Sequence, residues 1–184
     1  MRQGVARTTE PAHFRSIQPA LLLLEKTPIL LETMLRDLPQ DLLRWKPAPD
    51  RWSIAEVLGH LADLEEVYAD RTRRIVTEDT PRLERYDSTA TVMIGDYARG
   101  SAVENLSFFT RTRRSTIILL RSIPSGSGER EAIHSELGTI TLHQMLCEWA
   151  SHDLGHLRQI AELYRAREFH PQAGPFQKYS NPKP

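Results

Sequence analysis

The chain has 184 residues, 40% of them hydrophobic and 26% charged, with 24 Lys plus Arg against 24 Asp plus Glu. That is the composition of one soluble globular domain, and the balanced charge provides no global field to draw it to nucleic acid or an anionic membrane. The single cysteine, Cys147, cannot close an internal disulfide, and nothing reads as an export signal, so a reducing cytoplasm is the expected setting.

Residues 1–13 lack periodicity and read as a loose arm, followed by a helical domain over 14–169 and an irregular tail over 170–184 that holds Pro171, Gly174, Pro175, Pro182 and Pro184. The apolar run Ala20 to Leu24 stops at Glu25, far short of the roughly 20 residues that span a bilayer. Thr27-Pro28 has the form of an N-cap with proline at the first helical position, which opens a helix through Leu31, Met34 and Leu35 and leaves the preceding leucines to a shorter helix bending there. Pro39, Pro47 and Pro49 mark a connection. Ser53 and Glu56 form a capping box ahead of an apolar-periodic run that continues to about Glu78. The stretch from about Asp79 to Gly100 has no sustained period and is long enough for a crossover.

A third long helix is expected from Ala102 to Ser122, with Leu106, Phe109, Ile117 and Leu120 on its buried stripe, stopped by Pro124. Apart from a doubtful stretch around Arg130 to Leu137, no strand pattern appears. Thr141 with Gln144 makes a second capping box, opening a fourth helix to about Ala166. Four amphipathic helices predict an all-α four-helix bundle with crossover connections. Arg-Thr-Arg-Arg occurs at 71–74 and again at 111–114. Adjacent helical positions point in different directions, so each copy is expected to decorate a solvated surface.

His152 and His156 lie four residues apart, stacked on one face of the fourth helix together with Met145, Trp149 and Ile160. Two imidazoles in an apolar seam need partners. A carboxylate or carbonyl for each would serve, and for a lone histidine that is the usual outcome. His60 on a second capped helix tips the balance, since three neutral imidazoles can hold one divalent cation and leave a position for water or substrate. Gln159 and Glu148 flank the His152/His156 face, and Glu56 and Asp63 flank His60, as groups that could orient the ligands or move protons. Asp153 replaces the glutamate of H-E-x-x-H proteases, which argues against that chemistry. His13, His134, His143 and His170 are expected at ordinary surface positions. Cys147 points about 140° from His152 and is read as a small packing residue, and Trp52 and Trp149 as packing.

The run Arg51-Trp52-Ser53-Ile54-Ala55-Glu56-Val57-Leu58-Gly59-His60-Leu61, the Thr27-Pro28 pair, and His152-Asp153-Leu154-Gly155-His156-Leu157-Arg158-Gln159-Ile160 together resemble the DinB/YfiT-like superfamily, over roughly Ile17 to Arg167. The resemblance implies a four-helix bundle with crossovers and a divalent metal, zinc or nickel, on His60, His152 and His156. It also implies a homodimer and a small-molecule substrate, handled by a hydrolase or by a transferase using a low-molecular-weight thiol. Proton transfer falls to Glu148 or Glu56. The competing expectation is a non-catalytic metal-binding stress-response bundle in which the ion only staples the helices. Neither nucleic acid nor membrane is an expected partner.

Overall fold

The computed structural model describes residues 16–87, 97, 100–124 and 126–184. The expected arm over 1–13 and most of the stretch from 88 to 99 lie outside the described residues. Helix α1 spans Gln18–Leu35, α2 Gln40–Arg44, α3 Ile54–Thr77, α4 Ala102–Ser122 and α5 Leu142–Tyr164. The four long helices form the bundle.

Both capping boxes form. The Glu56 amide donates to Ser53 Oγ while Ser53 N donates to Glu56 Oε2 at 2.7 Å. Thr141 and Gln144 make the same reciprocal pair at the start of α5. Ser101 caps α4 by accepting from Glu104 N. Helix α1 ends where Asp37 takes φ +61°, a left-handed conformation that aspartate tolerates.

Three short strands are present where the sequence offered only a doubtful stretch. Strand β1 (Arg82–Leu83) pairs parallel to β2 (Glu131–His134), which pairs antiparallel to β3 (Gly138–Thr141). Thr141 both ends β3 and caps α5, so the hairpin feeds directly into the fourth long helix. Arg130 ties this sheet to the end of α3 by donating to the carbonyls of Ile75 and Glu78. Those are last-turn carbonyls without helical partners.

Helix α1 departs from expectation. Thr27-Pro28 does not start a helix; Pro28 sits inside one continuous helix that begins at Gln18, with Pro19 in its first turn. A proline in a helix interior removes one backbone donor and strands the carbonyl four residues earlier, at a cost of about 3 kcal/mol or more. Here that carbonyl is Leu24 O, and Arg113 Nη1 of α4 donates to it at 3.0 Å. The local penalty is offset by a tertiary hydrogen bond.

The core falls into two apolar clusters. One gathers Leu24, Tyr68, Ile75, Leu120, Leu142 and Trp149, and the other Leu31, Ile54, Leu58, Phe109, Leu157 and Ile160. On each long helix the boundary between them is polar or irregular: Leu24 to Pro28 on α1, Glu65 on α3, Arg113 on α4, and His152 to His156 on α5. The site lies at this waist. Past α5 the chain winds a π turn at Arg165–Phe169 and 3-10 turns to Tyr179, so the tail is partly regular.

Candidate metal centre

Helix α3 carries His60 and α5 carries His152 and His156 one turn apart. The Nε2 atoms of His60 and His152 are 3.2 Å apart, and those of His152 and His156 3.1 Å apart. A tetrahedral ion with ligands at about 2.0–2.1 Å spaces its donor atoms by about 3.4 Å. Three ring nitrogens aimed at one another cannot all find hydrogen-bond satisfaction among themselves, yet they suit one shared cation.

Electrostatics favours the neutral bases that a metal needs. Burial, with the positive charge of His156 and His152 as a second cause, pushes His60 down to about 3. Burial and then His156 push His152 down to about 4, against the pull of Asp153. Burial also lowers His156, which Gln159 partly opposes. His156 Nδ1 lies 2.9 Å from Gln159 Oε1. With the amide in this orientation the ring nitrogen donates, leaving the Nε2 lone pair directed at the cluster. His60 Nδ1 and His152 Nδ1 are buried without hydrogen-bond partners among the described residues. Trp52 packs against two of the rings, 5.0 Å from His60 and nearly parallel to His156 at 6.3 Å.

No fourth His, Cys, Asp or Glu joins the three among the described residues. The residues therefore fit a divalent ion held by three imidazoles with a coordination position to spare. A family model for the DinB superfamily matches residues 23–160. The chain belongs to the DinB superfamily. It is 26% identical over 146 residues to an Oceanobacillus iheyensis protein named as a proposed metal-dependent hydrolase, covering 79% of this chain and 84% of that one. It is 27% identical over 115 residues to Bacillus subtilis YfiT, similarly named, covering 62% of this chain and 65% of YfiT. The solved structure of YfiT, described as a "probable metal-dependent hydrolase with an unusual four-helix bundle topology", superposes with a TM-score of 0.76 at 23% identity, over 89% of this chain and 94% of that one. That likeness is one of fold.

Within this DinB-superfamily bundle the other sequence-selected residues scatter. Glu56 is occupied by the capping box and by Lys46 Nζ at 2.8 Å. Burial pulls its carboxyl up, but Lys46 and Ser53 hold it below the usual carboxylate range. Asp63 accepts from the Tyr97 hydroxyl. Glu148 is exposed, and its charge helps burial raise the Tyr68 hydroxyl to about 12. Cys147 is exposed rather than packed, 3.5 Å from His143 Nε2. His134 is buried in β2, away from the three histidines and from any surface role. Trp149 does pack as expected, stacked on Tyr68 at 4.6 Å.

The largest correction concerns the second arginine cluster. Arg113 is not a surface residue; it is 1% exposed. Its guanidinium donates to both oxygens of Asp153, to Glu65 Oε2 and to Leu24 O, so it links α4 to α5, α3 and α1. Phe109 and Trp149 cover it at 4.7 and 5.0 Å. Burial pulls Arg113 down, but Asp153 and Glu65 hold it above its usual value. Burial pushes the Glu65 carboxyl up, with Arg113 opposing. One signal was in the sequence: Arg113 stands four residues from both Phe109 and Ile117, on the very stripe that periodicity assigned to the core.

Proposed function

We propose that the protein is a divalent-metal-dependent enzyme acting on a small molecule, with His60, His152 and His156 as ligands and zinc or nickel as the ion. The observation that carries this reading is the convergence of three imidazoles whose ligand atoms all lie within 4.8 Å of one another, His152 Nε2 being 3.2 Å from His60 Nε2 and 3.1 Å from His156 Nε2, with no fourth protein ligand among the described residues. A bound ion supplies Lewis acidity, lowering the pKa of a coordinated water or thiol or polarising a substrate oxygen. The chain's own groups do the rest. Gln159 fixes the tautomer of His156, Trp52 shields one side of the imidazoles from water, and His152 and His156 border an open pocket through which a substrate can arrive. Glu56 is committed to Lys46 and Ser53, which leaves the exposed Glu148 as the uncommitted carboxylate of the two for proton transfer.

The relatives' names favour hydrolysis over transfer from a low-molecular-weight thiol, which uses the same coordination position. The pocket beside the histidines also speaks against a closed, purely structural staple. Resemblance to the family supports a homodimer and the lone cysteine a cytoplasmic setting; sedimentation of the metal-loaded chain checks the first. Elemental analysis of freshly purified protein beside His156→Ala tests the premise, with one metal per chain expected in the parent and little in the variant. Single-turnover assays of the loaded protein against esters, amides and thiol-plus-electrophile pairs then separate the two reactions. Equal metal in both proteins, or inactivity of the loaded chain towards every pair, overturns the reading.

A further inference from the structure

Two glycines lie inside the helices that carry the histidines, and only one has a packing reason. A Cβ on Gly59 would stand 2.6 Å from Tyr97 Cδ1, so that position must be bare. A Cβ on Gly155 would meet nothing within 4 Å. Glycine in a helix interior destabilises relative to alanine, and nothing in the fold of α5 repays that loss.

What Gly155 does border is a pocket of about 360 Å³ whose floor is His152 and His156, a size suited to a small ligand. Its walls bring together Arg51 from the segment before α3, Arg158 from α5 and Lys183 from the tail. Among the described residues no Asp or Glu side chain lines it, and the acceptor it does hold is the Pro184 oxygen. The acidic group nearest in sequence to Arg158, Glu162, is engaged by the Lys183 amide at 3.0 Å, which holds the tail in place, and by Arg165 Nη1 at 2.6 Å, with Arg158 as a weaker electrostatic partner. Arg51 is turned towards the same end of the chain, donating to the oxygen of Pro184. Cationic residues from three segments thus line the side of the histidine cluster that a missing side chain leaves open, with Arg51 already engaged by Pro184.

We propose that this pocket binds an oxyanion of the substrate, a carboxylate or phosphate group, with Arg158 and Lys183 as its counter-charges beside the Arg51–Pro184 contact and Gly155 as the gap that lets it reach His152 and His156. The inference names the substrate class for the site proposed above, but the cationic wall needs no metal to attract an anion. Guanidinium forks match both carboxylate and phosphate geometry. Recognition through partly exposed cations is also salt-sensitive.

The test is calorimetric titration of the full chain with succinate and, separately, with inorganic phosphate, in zinc-loaded and EDTA-treated forms, with metal content measured on each sample. Saturable binding of at least one anion to both forms is expected, weakening as sodium chloride is added. The tighter of the two identifies the group. Arg158→Gln should weaken binding about tenfold, as loss of a charge-assisted hydrogen bond does, and Arg158→Lys should restore part of it. Gly155→Leu should abolish binding while its melting temperature is no lower than the parent's. Arg73→Gln, a cation remote from the pocket, should leave affinity unchanged. Failure of both anions to saturate the parent overturns the proposal, as does parental affinity in Arg158→Gln or Gly155→Leu, or equal weakening by Arg73→Gln. Anion binding by a chain that takes up no metal would sink the metalloenzyme reading alone, and metal uptake without anion binding would sink this one alone.

Discussion

His152 and Asp153 are neighbours on α5, yet they belong to two polar clusters that solve burial in opposite ways. Asp153 enters a network supplied by protein groups: Arg113 meets both Asp153 oxygens, Glu65 Oε2 and the carbonyl freed by Pro28, leaving only Glu65 Oε1 without a hydrogen-bond partner among the described residues. His152 enters a cluster left open, with its Nε2 facing two other ring nitrogens and its Nδ1 without a partner among the described residues. The difference separates structure from function more sharply than burial does. A polar group whose partners are all supplied by the chain holds the fold, whereas one whose partners are missing is waiting for something from outside.

The largest effect should come from breaking the closed cluster. Arg113→Met leaves two buried carboxyl groups and the Leu24 carbonyl uncompensated, and should cost about 3–5 kcal/mol in denaturant unfolding. Replacing Arg113, Glu65 and Asp153 together by apolar residues of similar volume should recover most of that loss, because the charges then vanish as a set. If the triple variant is as unstable as Arg113→Met, the network is not the closed unit described. The open cluster should respond differently. His60→Ala should leave the metal-free chain as stable as the parent or more so, but remove the stabilisation by added zinc, about 2.7 kcal/mol at a hundredfold excess over the dissociation constant. Thermal melts with and without metal show which cluster the ion needs.

Gln159→Leu sharpens the comparison by deleting the partner that the chain supplies to His156 Nδ1 in the open cluster. Metal affinity should fall about 10- to 100-fold, read by competition with a chromophoric chelator, with metal-free stability little changed. Glu56→Gln should be smallest, up to about 1 kcal/mol at neutral pH, because Gln keeps the capping box and only the charge facing Lys46 is lost. Because the folded state holds the Glu56 carboxyl below its ordinary value, the parent's stability from this group is present above the unfolded pKa and is lost as pH falls through the folded one. The gap between parent and variant should therefore close on acidification, and a gap independent of pH would show that the Lys46 contact carries no charge effect.

Much of this was legible because it is local. Ser53 with Glu56 and Thr141 with Gln144 are four-residue patterns that fix helix starts wherever the chain goes, and the i, i+4 pair His152 and His156 is fixed by helical geometry alone. His60 joins them through bundle packing, which the periodicity of α3 implied. The misreadings are tertiary. Pro28 looked like a helix start because the donor that rescues its stranded carbonyl, Arg113, is 89 residues away from Leu24. Arg113 looked like surface because its acidic partners lie on other helices. Strands β2 and β3, four residues each, are too short for alternation to stand out.

The residue that closes β3 and caps α5 has a practical consequence. Any residue inserted between Thr141 and His152 would rotate both imidazoles by about 100° about the helix axis and scatter the trio. One added at the turn between β2 and β3, where Leu137 is 71% exposed, would leave the helix phase untouched. That turn is thus the place to attach a spin label or fluorophore, a reporter mounted at the root of the functional helix without turning it.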